Sequence, residues 1–297
     1  MLNFRLQVFR SVAKNLSFTK AANELHISQP AVSKHIKELE LEYNLRLFDR
    51  KGNRIFLTNP GKTLLNHSEK ILTLHQDLEY EMSKFGKHLS GQLRLGASTT
   101  MSQYVLPPVL ADFYNRYSGL RLSMRSANST RIADYLLNGI IDLGIVEGRL
   151  KNRSIRYEQF MEDTIVPVVH QNSQFAQYNE ISLDQLLSIP LVLREPGSGT
   201  LQVIEHALRA KNIRLSDLNR IMYMGSTESI KTFMESTDIM SFISLRAIQK
   251  ELKYGLFKVI NIKALEINRT FNFITLQGNP PSGLARQFMN FAKLAAT

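Results

Sequence analysis

The 297-residue sequence predicts an α/β protein with an α-dominated N-terminal head, one long connecting helix and a larger region of alternating strands and helices. Three observations predict it. Residues 18–39 hold two short helical patterns separated by a tight turn. Residues 60–87 keep an apolar stripe of seven-residue period without internal proline. Beyond Gly91, short apolar strands alternate with amphipathic helices.

The head opens with an amphipathic helix carrying Phe4, Val8, Phe9, Val12 and Leu16. A second helix offers the small inner face Ala21, Ala22 and Leu25, which lets another helix approach closely. The third starts at Ser28, an N-cap whose hydroxyl accepts from an orphan backbone N–H. Ile27 and Val32 flank that cap as a hydrophobic staple. Pro30 sits in the first turn, where its missing N–H costs nothing. Val32, Ile36, Leu39 and Tyr43 form the inner stripe, and Pro30, Ser33, Lys34 and Lys37 the outer one. Phe48 to Thr58 then alternates around Gly52-Asn53 as a hairpin from which Arg50, Lys51 and Arg54 project.

Three helices with a basic hairpin read as a winged helix-turn-helix, and therefore as a sequence-specific reader of double-stranded DNA. Charge agrees. Residues 1–62 hold 11 Lys/Arg against 5 Asp/Glu, over half of the chain's net +11 in about a fifth of its length. Gln29, Pro30 and Ser33 are placed for base edges, and Lys34, Lys37, Arg50 and Arg54 for phosphates or the neighbouring minor groove. The full candidate DNA set is Lys20, Ser28, Gln29, Pro30, Ala31, Ser33, Lys34, Lys37, Arg50, Arg54 and Thr58.

These motifs resemble a LysR-type transcriptional regulator. The resemblance runs through Ala21-Ala22, Ser28-Gln29-Pro30-Ala31-Val32-Ser33, Leu39-Glu40, Leu47-Phe48-Asp49-Arg50, Arg54, Leu57-Thr58 and Pro60-Gly61. It is close over the first sixty or so residues and weaker beyond. It implies a winged head over 1–58, a linker helix over 59–88 and a two-lobed, periplasmic-binding-protein-like effector domain over 91–297. Lobe I would span about 91–162 and 270–297, and lobe II about 163–269. The implied partners are promoter DNA, a second copy of the chain, often assembled to four subunits, and RNA polymerase.

In the linker, Leu64, Ile71, Leu78 and Phe85 recur every seventh residue and Met82 follows Leu78 by four. About 26 helical residues span roughly 40 Å, and one apolar stripe on so long a rod needs a partner. Dimerisation is the expected use; packing on the chain's own C-terminal region is the alternative. Gly86, Ser90 and Gly91 mark a hinge.

In the C-terminal region, strands are expected at Gln92–Gly96, Arg121–Ala127, Ile141–Val146 and Thr164–Val169, the last crossing to the second lobe. That lobe adds strands at Leu191–Leu193, Met222–Met224 and Ile239–Ile243, and Phe271–Leu276 returns. Helices are expected at Gln103–Tyr117, Ile132–Asn138, Leu201–Lys211, Glu228–Glu235 and Leu284–Leu294. The βαβ rhythm argues for parallel-type sheets, with ligands at the carboxyl ends of strands.

Three strand-to-helix turns are rich in hydroxyls: Ala97 to Thr100, Pro196 to Thr200, and Gly225 to Ser229. Capping alone accounts for any one of them. Three at one cleft edge, two glycines beside Ser198 among them, point to a small anion held by N–H groups and helix dipoles. The candidate effector contacts are Ser98, Thr99, Thr100, Ser198, Gly199, Thr200 and Thr227. The run Arg194 to Thr200 resembles regulators of sulfur assimilation and carbon fixation, which implies sulfite, sulfate or a phosphorylated metabolite. Around Asp238 to Arg246 the chain lacks glycines and a Leu-Pro pair common in the family, so no contacts are carried over there.

Zero cysteines exclude disulfides, thiolate metal sites and cysteine nucleophiles. No Gly-x-Ser-x-Gly, Walker A, HExxH or Gly-x-Gly-x-x-Gly motif is present, and the seven histidines are scattered. Arg194-Glu195 reads as a structural or ligand-orienting ion pair. The expectation is a non-enzymatic regulator with no cofactor or metal beyond its effector. No run of about 18 apolar residues occurs, and Arg5, Arg10 and Lys14 interrupt the N-terminal apolar pattern, so a cytoplasmic protein is expected. The competing reading, a solute-binding or sensing protein that does not act through DNA, would lack the head and carry an export signal.

Overall fold

The computed structural model describes residues 2–52, 54–83, 91–117, 119–148, 152–278, 281 and 283–295. It divides into two compact units, Met1–Lys87 and His88–Thr297.

In the first unit, α1 (Leu2–Asn15), α2 (Phe18–Leu25) and α3 (Gln29–Tyr43) precede the antiparallel hairpin β1 (Phe48–Lys51) and β2 (Arg54–Leu57), and α4 (Asn59–Ser83) follows. Caps fix the boundaries. Ser17 Oγ accepts from Lys20 N at 3.2 Å and Ser28 Oγ from Ala31 N at 3.3 Å. His26 and Asn44 take left-handed conformations that end α2 and α3. The core gathers Leu6, Val8, Phe9, Val12, Ala21, Ala22, Val32, Ile36, Leu39, Leu47, Phe48 and Leu72.

Three residues expected inside it are exposed. Phe4 lies beyond the buried face, edge-on to His35. Leu16 follows the last residue of α1 with positive φ and turns outward. Tyr43, 43 % exposed, sits on the final turn of α3, past the core. Periodicity reports the face of a helix but not where the packed body beneath it stops. In α4, Leu64 and Leu65 are half-buried against the head's own core, whereas Ile71, Leu74, Leu78 and Met82 face outward, Leu78 at 58 % exposure. Asn53, Phe85, Gly86 and Ser90, to which the sequence assigned a hairpin tip, a seam position and a hinge, lie outside the described residues.

The second unit begins with β3 (Gly91–Ser98), a π-helical turn at Met101–Val105, α5 (Leu106–Arg116), β4 (Leu120–Ala127), α6 (Ser129–Leu137) and β5 (Leu143–Glu147). A sixteen-residue strand, β6 (Ile155–His170), leads to β7 (Glu180–Ile181), α7 (Leu183–Ser188), β8 (Leu191–Arg194) and α8 (Gly199–Arg209). Then come β9 (Arg220–Met224), α9 (Thr227–Met234), β10 (Met240–Ser244), α10 (Gln249–Lys253), β11 (Phe257–Val259), β12 (Asn261–Ile262), β13 (Ile267–Leu276) and α11 (Gly283–Ala295).

Among the described residues one sheet runs β4-β3-β5-β13-β6-β10-β8-β9. Its ends are parallel trios, β4-β3-β5 and β10-β8-β9, but β13 is antiparallel to β5 and β6, and β6 to β10. The sheet is therefore mixed rather than parallel throughout. Separate apolar clusters form around Ile132, Val146 and Ile274 in one lobe and around Leu191, Ile204 and Phe242 in the other.

Differences from the expected elements have local causes. The strand expected at 164–169 starts at Ile155, because outward Arg156, Glu158 and Glu162 hide its first half from an apolar pattern. The helix expected from Gln103 starts regularly only at Leu106. Pro107 and Pro108 lack the N–H groups an α-helical turn needs, and the wider π turn precedes them. β4 is an edge strand, largely exposed. Helices α6, α8 and α9 each start earlier than expected, at their hydroxyl-bearing turns.

Candidate DNA-binding head and effector cleft

On α3, Gln29, Pro30, Lys34 and Lys37 are exposed and Ala31 and Ser33 half-buried. Gln29 Nε2 donates to Ser33 Oγ at 3.0 Å, so the two polar residues next to the cap act as one unit. Among the described residues neither Lys34 nor Lys37 has an acidic partner, which leaves both charges for solvent or phosphate. Lys20 is exposed on α2. Arg50 and Arg54 are exposed on the wing, the Arg50 guanidinium 5.5 Å from the Phe18 ring centroid.

Two candidates do structural work. Ser28 Oγ caps α3. Thr58 Oγ1 donates to Arg46 O at 2.7 Å and accepts from Gly61 N at 3.0 Å, so its proton is committed inside the head and unavailable to DNA. Arg5, reaching Glu38 and Glu42 at 3.1 and 3.2 Å, ties α1 to α3. Exposed Phe56 on the wing and exposed Arg46 carried no motif that would have singled them out.

In the second unit the three hydroxyl-rich turns stand at carboxyl ends of strands. Ser98, Thr100, Ser198, Thr200 and Thr227 are buried, and Thr99 is half-buried. The capping explanation is settled turn by turn. At α9 the cap is Ser226, whose Oγ accepts from Ser229 N at 3.1 Å, and Thr227 is the first helical residue. At α8, Ser198 holds the N-cap backbone position but its side chain makes no capping bond. Among the described residues Ser98 Oγ, Thr99 Oγ1, Ser129 Oγ and Ser198 Oγ have no hydrogen-bond partner. Four sheltered hydroxyls without partners are costly unless something else meets them.

Thr200 differs. Its Oγ1 donates to Glu147 Oε1 at 3.1 Å and accepts from Arg269 Nη1 at 2.8 Å. Arg269 also binds Asp163 Oδ2 through Nε at 2.7 Å and stands 3.6 Å from Glu147. Glu147 ends an otherwise apolar strand, and Gly199 packs directly on it. A Cβ there would lie 2.4 Å from Glu147 Cγ and 2.6 Å from Ser129 Oγ. Asn128 Oδ1 caps α6 through Arg131 N at 3.0 Å, and Thr130 Oγ1 donates to Gly197 O at 3.3 Å across the lobes. Glu147, Asp163, Arg269 and Ser129 belong to no local motif; the fold brings them together from three strands and a helix start.

A second link crosses the cleft. Tyr104, on the π turn, hydrogen-bonds Glu228 at the start of α9, and Lys231 lies over the Tyr104 ring and against Glu228 and Glu251. Burial, reinforced by Glu228, pushes the Tyr104 hydroxyl well above the tyrosine range. Burial alone would raise Glu228 and lower Lys231. The hydrogen bonds outweigh it, so Glu228 is lowered and Lys231 raised, and the pair stays ionised. Arg194, buried, holds Glu195 at 2.9 Å and Gly225 O at 3.2 Å, joining the turns before α8 and α9. The ion pair expected from the sequence is present, and its visible contacts are structural.

A capped two-helix reading head with a hairpin wing, and a two-lobed α/β unit with polar groups between its lobes, define a DNA-binding regulator with a ligand-sensing domain. Comparison with known proteins agrees: residues 4–62 match the bacterial regulatory helix-turn-helix protein, lysR family, and residues 86–296 the LysR substrate binding domain. The chain belongs to the LysR family of transcriptional regulators. It is 31% identical over 289 residues to a probable RuBisCO transcriptional regulator of Thalassiosira pseudonana, covering 96% of this chain and 93% of that one. It is 29% identical over 269 residues to the HTH-type transcriptional regulator CysL of Bacillus subtilis, covering 91% and 89%. In fold it is similar to a full-length OxyR variant from Pseudomonas aeruginosa, with TM-score 0.73 and 19% identity over 99% of this chain and 95% of that one. It is also similar to the Synechocystis CcmR regulatory domain in complex with 2-PG, with TM-score 0.63 and 23% identity over 69% and 97%. Among the described residues no helix is long and apolar enough to cross a membrane.

Proposed function

We propose that this regulator reads promoter DNA through α3 and the wing, and that a small anion bound between the lobes of 91–297 switches it. It acts by binding rather than catalysis, in the cytoplasm where its DNA is. Two copies pair through the outward stripe of the linker helix over 59–88. In this reading it assembles to four subunits and contacts RNA polymerase as an activator, which its family membership supports. Lobe I comprises about 91–162 and 270–297, and lobe II about 163–269. The head over 1–58 contacts DNA through Lys20, Gln29, Pro30, Ala31, Ser33, Lys34, Lys37, Arg50 and Arg54, with Ser28 positioning the helix.

One observation carries the effector reading: Ser98, Thr99, Ser129 and Ser198 are sheltered, point to no protein partner, and line helix starts on both lobes. Helix N-termini and hydroxyl donors suit an inorganic oxyanion, a carboxylate or a phosphorylated metabolite. A ligand that prefers one arrangement of the lobes shifts their equilibrium by its differential affinity. The test is thermal unfolding of the full chain with and without small anions, repeated with Ser129→Ala and Ser198→Ala. At a hundred times Kd a bound anion adds about 2.7 kcal/mol to wild-type stability. Equal stabilisation of all three proteins would place the ligand elsewhere.

The DNA reading has its own test. Ser33→Ala is expected to cost about 1–3 kcal/mol on the cognate promoter and little on random duplex. Lys37→Ala is expected to weaken both alike and to reduce the salt slope by about one. Equal losses on cognate and random DNA for Ser33→Ala, or a loss confined to the cognate site for Lys37→Ala, would overturn the assigned roles.

A further inference from the structure

The cleft already contains a buried carboxyl group of its own. Glu147 is 1 % exposed; its Oε1 accepts from Thr200 Oγ1 in the first turn of α8 at 3.1 Å, and Arg269 Nη1 of β13 stands 3.6 Å away. That guanidinium is already matched: Asp163, equally buried, takes Arg269 Nε at 2.7 Å. Asp163 further accepts from Ser244 at 2.9 Å, and the half-exposed Arg246 stands 3.9 Å away. Glu147 is thus the more weakly matched of two carboxylates that share Arg269, at 3.6 Å against 2.7 Å for Asp163. Among the described residues its Oε2 has no hydrogen-bond partner, and neither has Arg269 Nη2. A merely structural counter-ion would close both oxygens, since an unpaired buried charge is costly. The absence of a Cβ at Gly199 lets the α8 backbone press on this side chain, which keeps it in the cleft.

An ionised carboxylate only accepts hydrogen bonds. Beside it, an anion that also only accepts brings two negative groups together without a proton between them. We propose that Glu147 is the specificity-determining residue of the effector site, and that the effector must present a hydrogen-bond donor to Glu147 Oε2 next to the anionic group met by the cleft hydroxyls. The donor is either the O–H of a protonated phosphoryl group or a carbon-borne hydroxyl. Fully ionised sulfate has neither, so this site rejects it. A site built around one hydrogen bond discriminates strongly against the analogue that lacks it, because its own buried group is then left unpaired.

This inference rests on the effector reading above. The test is titration calorimetry of the full-length protein at neutral pH with two probe pairs: phosphate against sulfate, and malate against succinate. The first pair differs by a P–OH, the second by one carbon hydroxyl, so the arms separate the two donor sources. Wild type is expected to prefer the donor-bearing member of at least one pair by about a hundredfold. Glu147→Gln, which offers an N–H donor in place of the charge, is expected to bring that ratio within about threefold by gaining sulfate or succinate. The wild-type ratios need no variant, so misfolding of Glu147→Gln cannot mask the answer. Sulfate equal to phosphate together with succinate equal to malate in wild type would overturn the role of Glu147 while leaving the cleft as an anion site. An unchanged preference in folded Glu147→Gln would do the same. Binding of none of the four at millimolar concentration would overturn the effector reading itself.

Discussion

Replacing Gly61 by alanine sets two effects against each other. In a helix, alanine is favoured over glycine by about 1 kcal/mol, so propensity alone predicts a more stable α4. The packed geometry predicts the opposite. A Cβ on Gly61 would lie 2.2 Å from Leu47 O and 2.9 Å from Leu57 Cδ2. Leu47 cannot yield cheaply: its N–H donates to Glu40 at 2.7 Å and its carbonyl accepts from Thr58 N at 3.1 Å. Relief requires the start of α4 to move about an ångström from the wing, which strains the Gly61 N to Thr58 Oγ1 bond as well. Overpacking costs roughly 1–3 kcal/mol and each lost hydrogen bond about 1 kcal/mol. The net expectation is a loss of about 2 kcal/mol, or roughly 8–16 °C for a unit of this size. Thermal unfolding by circular dichroism, with hydrogen exchange followed at the Thr58 and Gly61 amides, measures both quantities. Unchanged or greater stability with unchanged protection would refute the argument and show that propensity wins at this position.

Gly199→Ala, with its Cβ 2.7 Å from Glu147 O, is expected to lower the melting temperature of the second unit by several degrees, while Gly225→Ala, which meets nothing within 4 Å, is expected to be neutral. Ile71→Asp with Leu78→Asp is expected to reduce the sedimentation coefficient and abolish specific DNA binding; an unchanged size would assign the stripe to another use. The hydrogen bond from Lys293 at 2.8 Å holds the Glu158 carboxyl below the usual range. Its contribution is present above the ordinary glutamate pKa and is lost as pH falls through the depressed one. Glu158→Gln is therefore expected to lower stability at neutral pH, to flatten that part of the acid unfolding curve, and to converge with wild type at low pH.

Legibility in the sequence followed the range of the interactions. Ser28 before Pro30, the small Ala21-Ala22 pair and the hairpin alternation are decided within a few residues, and the head could be read from them. The hydroxyl-rich turns were legible for the same reason. The sequence could not say which hydroxyls cap and which are left over: Ser226 caps α9 and Ser198 does not cap α8, although both precede helices. Glu147, Asp163 and Arg269 had no signal of their own beyond polar residues in apolar strands, because their meaning comes from strand pairing over long separations. Leu64 obeys the same heptad as Leu78 yet packs on the head while Leu78 is exposed, since the head's core reaches only the first turns of the helix.

β6 and β13 pair with each other from Ile155–Leu276 at one end to Ile165–Ile267 at the other, and both lobes are attached along their length. Two flexible strings between the lobes would let them gape freely. A hydrogen-bonded ribbon resists opening but twists readily, in the way a flat spring yields about its long axis and stiffens across it. Its ladder is irregular at one place, between Phe271 and Asn272, where a bulge bends the strand and adds local twist. On the proposed function, lobes joined this way are expected to rearrange by a small rotation rather than by gaping apart.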